Sequence, residues 1–220
     1  MKPSSADARG GLVWDLGVRA FHWLLVLLIA AGWWTYRSDA MLWHRRNGYA
    51  IAALLAFRLF WGFVGSAPAR FDNFVRSPAE VVGYIRGQIR AGVGHNPAGG
   101  WSVLALLAAL AVLVVTGLLG VTQEGDSGRI ASLIPFAWSR AATHLHALAF
   151  NALLALIGLH LAAVLIHQLL GHDLIRPMLS GRKHIEPDVE GQIPPERSSG
   201  WIGLGLALVV YLGLIFVDRV

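Results

Sequence analysis

Five apolar runs separated by polar segments organise this chain, at residues 17–36, 43–65, 100–121, 141–170 and 201–217. Each is near the ~20 residues that carry a helix across a hydrocarbon core of about 30 Å. The pattern predicts an all-α integral membrane protein with five transmembrane helices. The fourth run exceeds one crossing, so its ends are expected to project into the aqueous phases. Tryptophans mark several edges, Trp14, Trp23, Trp33, Trp34, Trp43, Trp61, Trp101 and Trp201 among them, as amphipathic rings at headgroup level do. Between the second and third runs, Ser77-Pro78-Ala79-Glu80 has the form of a capping box with proline at the first helical position. It predicts a short amphipathic surface helix over residues 78–90, with Val81, Val82, Tyr84, Ile85 and Ile89 set against Arg86 and Arg90. Segment 172–200, with Pro187, Pro194 and Pro195, reads as an irregular tether to the last span.

Composition agrees: of 220 residues 55% are hydrophobic and 14% charged, and the mean hydropathy is +0.56, outside the range of soluble domains. The absence of cysteine excludes disulfides, iron–sulfur clusters and covalently attached c-type haem within the chain. The net charge of +5 does not point to nucleic acid, because the arginines flank apolar spans instead of forming one basic stripe. Residues 1–9 are polar and lead into the first run without a small-residue cleavage site, which reads as an uncleaved first span. With the N-terminus inside, twelve of the eighteen Lys and Arg residues fall on or near the cytoplasmic side. That bias predicts a cytoplasmic N-terminus.

Candidate chemistry lies in the histidines. His146 and His160 are fourteen residues apart on the fourth run, which on a helix places them about 21 Å apart in depth and on nearly one face. Side chains of this kind inside a membrane are costly and read as functional. His22 lies about one turn inside the cytoplasmic end of the first span, and His44 near the outer end of the second. The depths therefore match as His22 with His160 and His44 with His146. Two imidazoles at one level on facing helices suit a six-coordinate haem b, a plate that belongs between helices. Arg19, Arg45, Arg46, Arg58 and Arg140 are candidate partners for its propionates. A zinc site fits less well, since no level offers a carboxylate or thiol to complete four ligands. His95, His144, His172 and His184 read as loop or interfacial side chains, and His144 points about 200° away from His146 around the helix. His167 is open to two readings, lining a quinone pocket or lying among headgroups.

The segment Val13-Trp14-Asp15-Leu16-Gly17-Val18-Arg19-Ala20-Phe21-His22-Trp23 resembles the opening of the bacterial cytochrome b561 superfamily, which includes the cytochrome b subunits of membrane-bound nickel–iron hydrogenases. His44, Gly48 and Phe57-Arg58-Leu59-Phe60-Trp61-Gly62 continue the likeness, as do Gly94-His95-Asn96-Pro97-Ala98-Gly99-Gly100-Trp101 and the fourth-span histidine spacing. The resemblance implies a four-helix transmembrane bundle over residues 13–183 binding two b haems, with His22, His44, His146 and His160 as axial ligands. A loop at 184–200 and an additional transmembrane helix at 201–217 depart from the family pattern. Quinone is implied as the membrane partner, and a periplasmic cytochrome or hydrogenase as the redox protein partner.

The expected function is transmembrane electron transfer in the bacterial inner membrane, as a cytochrome subunit of an oxidoreductase complex and not a stand-alone enzyme. Two alternatives remain. One is an autonomous quinone oxidoreductase oxidising a small periplasmic species such as superoxide; the other is a haem-free transporter or structural subunit.

Overall fold

The computed structural model describes residues 11–88, 94–122 and 125–183, with isolated positions at 205, 207–209, 211, 212 and 215. Four helices in it are long and apolar enough to cross a membrane: α1 (Leu16–Arg37), α2 (Met41–Val64), α5 (Pro97–Leu119) and α6 (Phe136–Leu169). Their limits fall within five residues of the first four hydropathy runs. Of the fifth run only the isolated positions are described; they are helical, and Ala207 is buried in the core. Residues 1–9, read above as a polar lead into the first span, and residues 184–200, most of the expected tether, lie outside the described residues.

Polar side chains set the helix ends. Asp15 caps α1, its Oδ1 accepting from the Val18 N–H at 2.8 Å, as an N-cap carboxylate does for an otherwise unpaired donor. The chain reverses into α2 at Asp39, whose φ of 57° is a left-handed conformation that Asp tolerates better than most residues. Asn96 caps α5 through Gly99 N–H at 2.6 Å, with Pro97 in the first turn. The short helices α3 (Phe71–Phe74) and α4 (Pro78–Ile85) lie between α2 and α5, and the capping box at Ser77 and Glu80 is complete in both directions. The expected helix over 78–90 is shorter: α4 ends at Ile85, and residues 89 and 90 are outside the described set.

Helix α1 packs along α2, α2 against α5, and α5 along the length of α6, whereas α6 approaches α1 and α2 at isolated points at most. The core is built where packing is continuous, from Val18 and Phe21 of α1, Leu54, Phe57 and Trp61 of α2, Leu110 and Leu113 of α5, and Ala149 and Leu153 of α6. Past α6 the expectation of irregular chain is corrected. Residues 175–180 form helix α7 (Ile175–Ser180), and strand β2 (Arg182–Lys183) pairs antiparallel with β1 (Gly11–Leu12). Arg19 donates to the Leu179 carbonyl at 2.6 Å, and the Trp23 indole to that of Met178 at 3.2 Å. These contacts tie the end of α6 back to the start of α1. Proline at 177 did not prevent a helix, because the third position of a six-residue helix has few intrahelical bonds to lose.

Candidate functional site

His44 of α2 and His146 of α6 face each other where α6 stands off from α1 and α2, at the end of the bundle opposite the N-terminus. Their ring centroids are 6.2 Å apart with an interplanar angle of 81°. His44 Nδ1 lies 2.9 Å from the Gly32 carbonyl of α1, and His146 Nδ1 2.9 Å from the Leu113 carbonyl of α5. A carbonyl only accepts, so each Nδ1 donates and Nε2 is the ring nitrogen left to meet a metal. This is how a second hydrogen bond orients an imidazole for metal ligation.

Each ring is seated beside a glycine of the neighbouring helix. Asn47 donates to the Leu28 carbonyl at 2.9 Å, and a Cβ on Gly32 would come within 2.8 Å of its amide nitrogen. A Cβ on Gly117 would meet His146 Cε1 at 3.0 Å. Beside the two rings is a cavity of about 450 Å³, lined by Ile29, Trp33, Tyr36, Gly48, Thr116 and Phe150 among others. The size is that of small-molecule and cofactor sites. Gly48, one turn after His44, lines it with nothing within 4 Å of a Cβ built there.

The donor set fits a haem. Two imidazole–metal bonds of about 2 Å laid end to end, with half of each ring added, give centroids about 6 Å apart. The His44–His146 separation meets that, with both Nδ1 atoms already engaged and apolar walls suited to a porphyrin plate. Among the described residues no group of three His, Cys, Asp or Glu side chains converges as a metal-ion site.

At the N-terminal end, His22 of α1 and His160 of α6 are half-buried and within Coulombic reach of each other. They lack the carbonyl lock of the other pair: His22 Nδ1 is buried without a hydrogen-bond partner among the described residues. An orphaned buried polar atom of this kind calls for a group to meet it. His95, read from sequence as a loop side chain, is instead the third histidine of this end. Its ring packs edge-on against Trp14 at 4.6 Å and against Phe74 at 4.7 Å, and it lies within Coulombic reach of Arg58 and His160. Burial, then the nearby Arg58 and His160 charges, push its pKa down to about 3. The family-like segment 94–101 contains it, but nothing local marked its burial, which comes from residues about 20 and 80 positions away. The exposed ring of His144 points away from the His146 site.

The arginines separate by environment. Arg58 is 3% exposed, with its guanidinium 5.0 Å from the Phe71 ring and 5.9 Å from that of Phe74, so it is a buried cation and not a headgroup-level one. Arg19 uses one nitrogen to hold α7. Arg45 lines the cavity and lies 4.0 Å from Asp126, Arg46 sits over Trp43, and Arg140 is exposed. His167 joins the surface helix to the bundle, its Nε2 lying 3.4 Å from the Tyr84 hydroxyl and 3.5 Å from the Asn96 amide.

A family profile described as prokaryotic cytochrome b561 matches residues 13–181. No curated protein matches the chain.

Proposed function

The chain belongs to the prokaryotic cytochrome b561 family, a group of multi-pass membrane proteins of electron transfer, and from that premise we propose that it binds two b haems. His44 and His146 would hold one, His22 and His160 the other, with Arg19, Arg45 and Arg58 as the basic groups nearest their edges. The observation that carries this reading is the facing pair of rings whose Nδ1 atoms are both engaged by carbonyls.

Bound b haem supplies reversible one-electron chemistry, and ligation by two imidazoles leaves no open position for oxygen activation. The protein's part is to hold and to insulate. The Gly32 and Leu113 carbonyls fix the two rings through Nδ1, Gly48 and Gly117 leave room, and Phe150, Ile29 and Trp33 line the cavity with apolar surface. Helix α6 is one unbroken rod of 34 residues, so His146 and His160 are spaced along it by about 21 Å, some two-thirds of a hydrocarbon core.

On this reading, electrons cross the bacterial inner membrane between the quinone pool and a redox protein such as a periplasmic cytochrome or hydrogenase, with the N-terminus cytoplasmic. Residues 13–183 form the dihaem domain, and 201–217 is an additional span after the loop at 184–200. Haem quantification with optical redox titration of the purified protein tests the proposal. Two b haems per chain, titrating as two components, are expected. A purified, folded protein without b-type absorption would overturn it in favour of a haem-free role, and turnover of superoxide without a partner would favour the autonomous oxidoreductase.

A further inference from the structure

At the N-terminal end of the bundle two nitrogen donors are sealed against the same aromatic ring with nothing to bind. Arg58 Nη1 and His95 Nδ1 are both buried without a hydrogen-bond partner among the described residues. Phe74 lies under both, 5.9 Å from the guanidinium carbon and 4.7 Å from the imidazole centroid. Arg58 itself is 3% exposed.

The nearest carboxylate does not answer the need. Asp15 lies within Coulombic reach of Arg58, but its Oδ1 already accepts from Val18 N–H, and its Oδ2 from the Trp61 indole at 3.0 Å and the Ser66 hydroxyl. Among the described residues Arg58 forms no ion pair with it. The Arg58 Nη1 and the His95 Nδ1, packed on the same Phe74 ring, are each left without a hydrogen-bond partner, which an apolar wall cannot supply. A planar acceptor with two oxygens is the natural complement of a guanidinium fork.

We propose that Arg58 and His95 form a buried carboxylate-binding site at this end of the bundle. The carboxylate has two sources, a propionate of a haem held by His22 and His160, or a free carboxylate from solution. The first source rests on the paired-haem reading above. His160 lies within Coulombic reach of His95, which places the site beside that pair. Arg58 supplies the charge, and His95, through the Nδ1 left without a partner, donates one directed N–H.

The test uses the full-length purified protein, loaded with haem b or with haem b dimethyl ester, in the wild type and in Arg58→Gln, Arg58→Lys and His95→Gln. With haem b, Arg58→Gln should lower the midpoint potential of the component that His22→Ala removes and weaken its retention by about tenfold, the loss of one charge-assisted bond. His95→Gln should move the same component less, and Arg58→Lys should restore part of the shift. The other component should stay in place. A propionate occupant predicts that the diester-loaded wild type already shows the weakened retention and that Arg58→Gln then weakens it no further.

A free carboxylate predicts that esterification leaves the effect of Arg58→Gln on retention unchanged, while acetate raises the thermal midpoint of the wild type in a dose-dependent way and not that of Arg58→Gln. If neither esterification nor acetate distinguishes wild type from Arg58→Gln, the site does not exist. Failure of the paired-haem reading would appear separately, as a wild type lacking two components. The acetate arm, which needs no haem, would then decide the site alone.

Discussion

Gly117 shows how little space separates a ligand from a misplaced side chain. A methyl group there would press on the Cε1 edge of His146 at 3.0 Å, tighter than ordinary van der Waals contact, while the ring's Nδ1 is held by the Leu113 carbonyl one turn earlier on the same helix. Gly117→Val is therefore expected to displace the imidazole and to lower or shift one spectral component, leaving the component tied to His22 unchanged. Retention of both components with wild-type potentials would show that the ring is not confined by this glycine. The histidines themselves give a sharper partition. His44→Ala and His146→Ala should each remove one component in reduced-minus-oxidised spectra, and His22→Ala and His160→Ala the other, with His144→Ala sparing both. Loss of the same component from His22→Ala and His44→Ala would break the pairing.

At the scale of elements, Asp15 joins two helices that histidines of both pairs depend on. Its carboxylate caps α1 and accepts from Trp61 near the end of α2 and from Ser66 just beyond it. Asp15→Ala forfeits a cap of about 1 kcal/mol and leaves a buried indole N–H unpaired at about 1–3 kcal/mol. A loss of roughly 2–4 kcal/mol in thermal or denaturant unfolding is expected, with Asp15→Asn recovering part. A fall no larger than that of an exposed alanine substitution would remove the tie. The capping box of α4 responds to acid instead. Hydrogen bonds from the Ser77 backbone and side chain hold the Glu80 carboxyl below its ordinary value, so its stabilising effect is complete above the unfolded value of about 4.3 and disappears as pH falls through the lower, folded value. Amide exchange over 78–85 should quicken only at such acid pH, and Glu80→Gln should flatten that dependence. These elements also show what the sequence carries. Span limits, the capping box and the depths of four histidines follow from hydropathy and helical rise, which are local. The Gly32 and Leu113 acceptors are backbone carbonyls with no side-chain signature, and the place of His95 depends on Trp14 and Phe74 folding over a loop. The α7 contacts with Arg19 and Trp23 depend likewise on segments more than 150 residues apart.

For the whole molecule, the arrangement of α6 matters more than any single contact. It packs along α5 and stands off from α1 and α2, so the proposed histidine pairs would bridge the same gap, one near each end. Which end faces the cytoplasm decides which site meets which partner, and the distribution of Lys and Arg predicts that the N-terminal end does. The chain has no cysteine, so single introduced thiols report topology without background. Ala79, on α4 at the N-terminal end, and Ser132, before α6 at the other, are both exposed. In intact cells a membrane-impermeant maleimide should label Ser132→Cys and spare Ala79→Cys until the cells are opened. The reverse labelling would invert the orientation without touching the ligation, placing His44 and His146 toward the cytoplasm and the Arg58–His95 pair outside. Labelling of both in intact cells would be more serious, because α5, the one span between them, would then not separate the two positions and the four-span arrangement itself would fail. With the expected pattern, the 450 Å³ cavity beside His44 and His146 lies toward the periplasm, where a soluble redox protein can approach, and the His22–His160 end lies nearer the cytoplasmic leaflet.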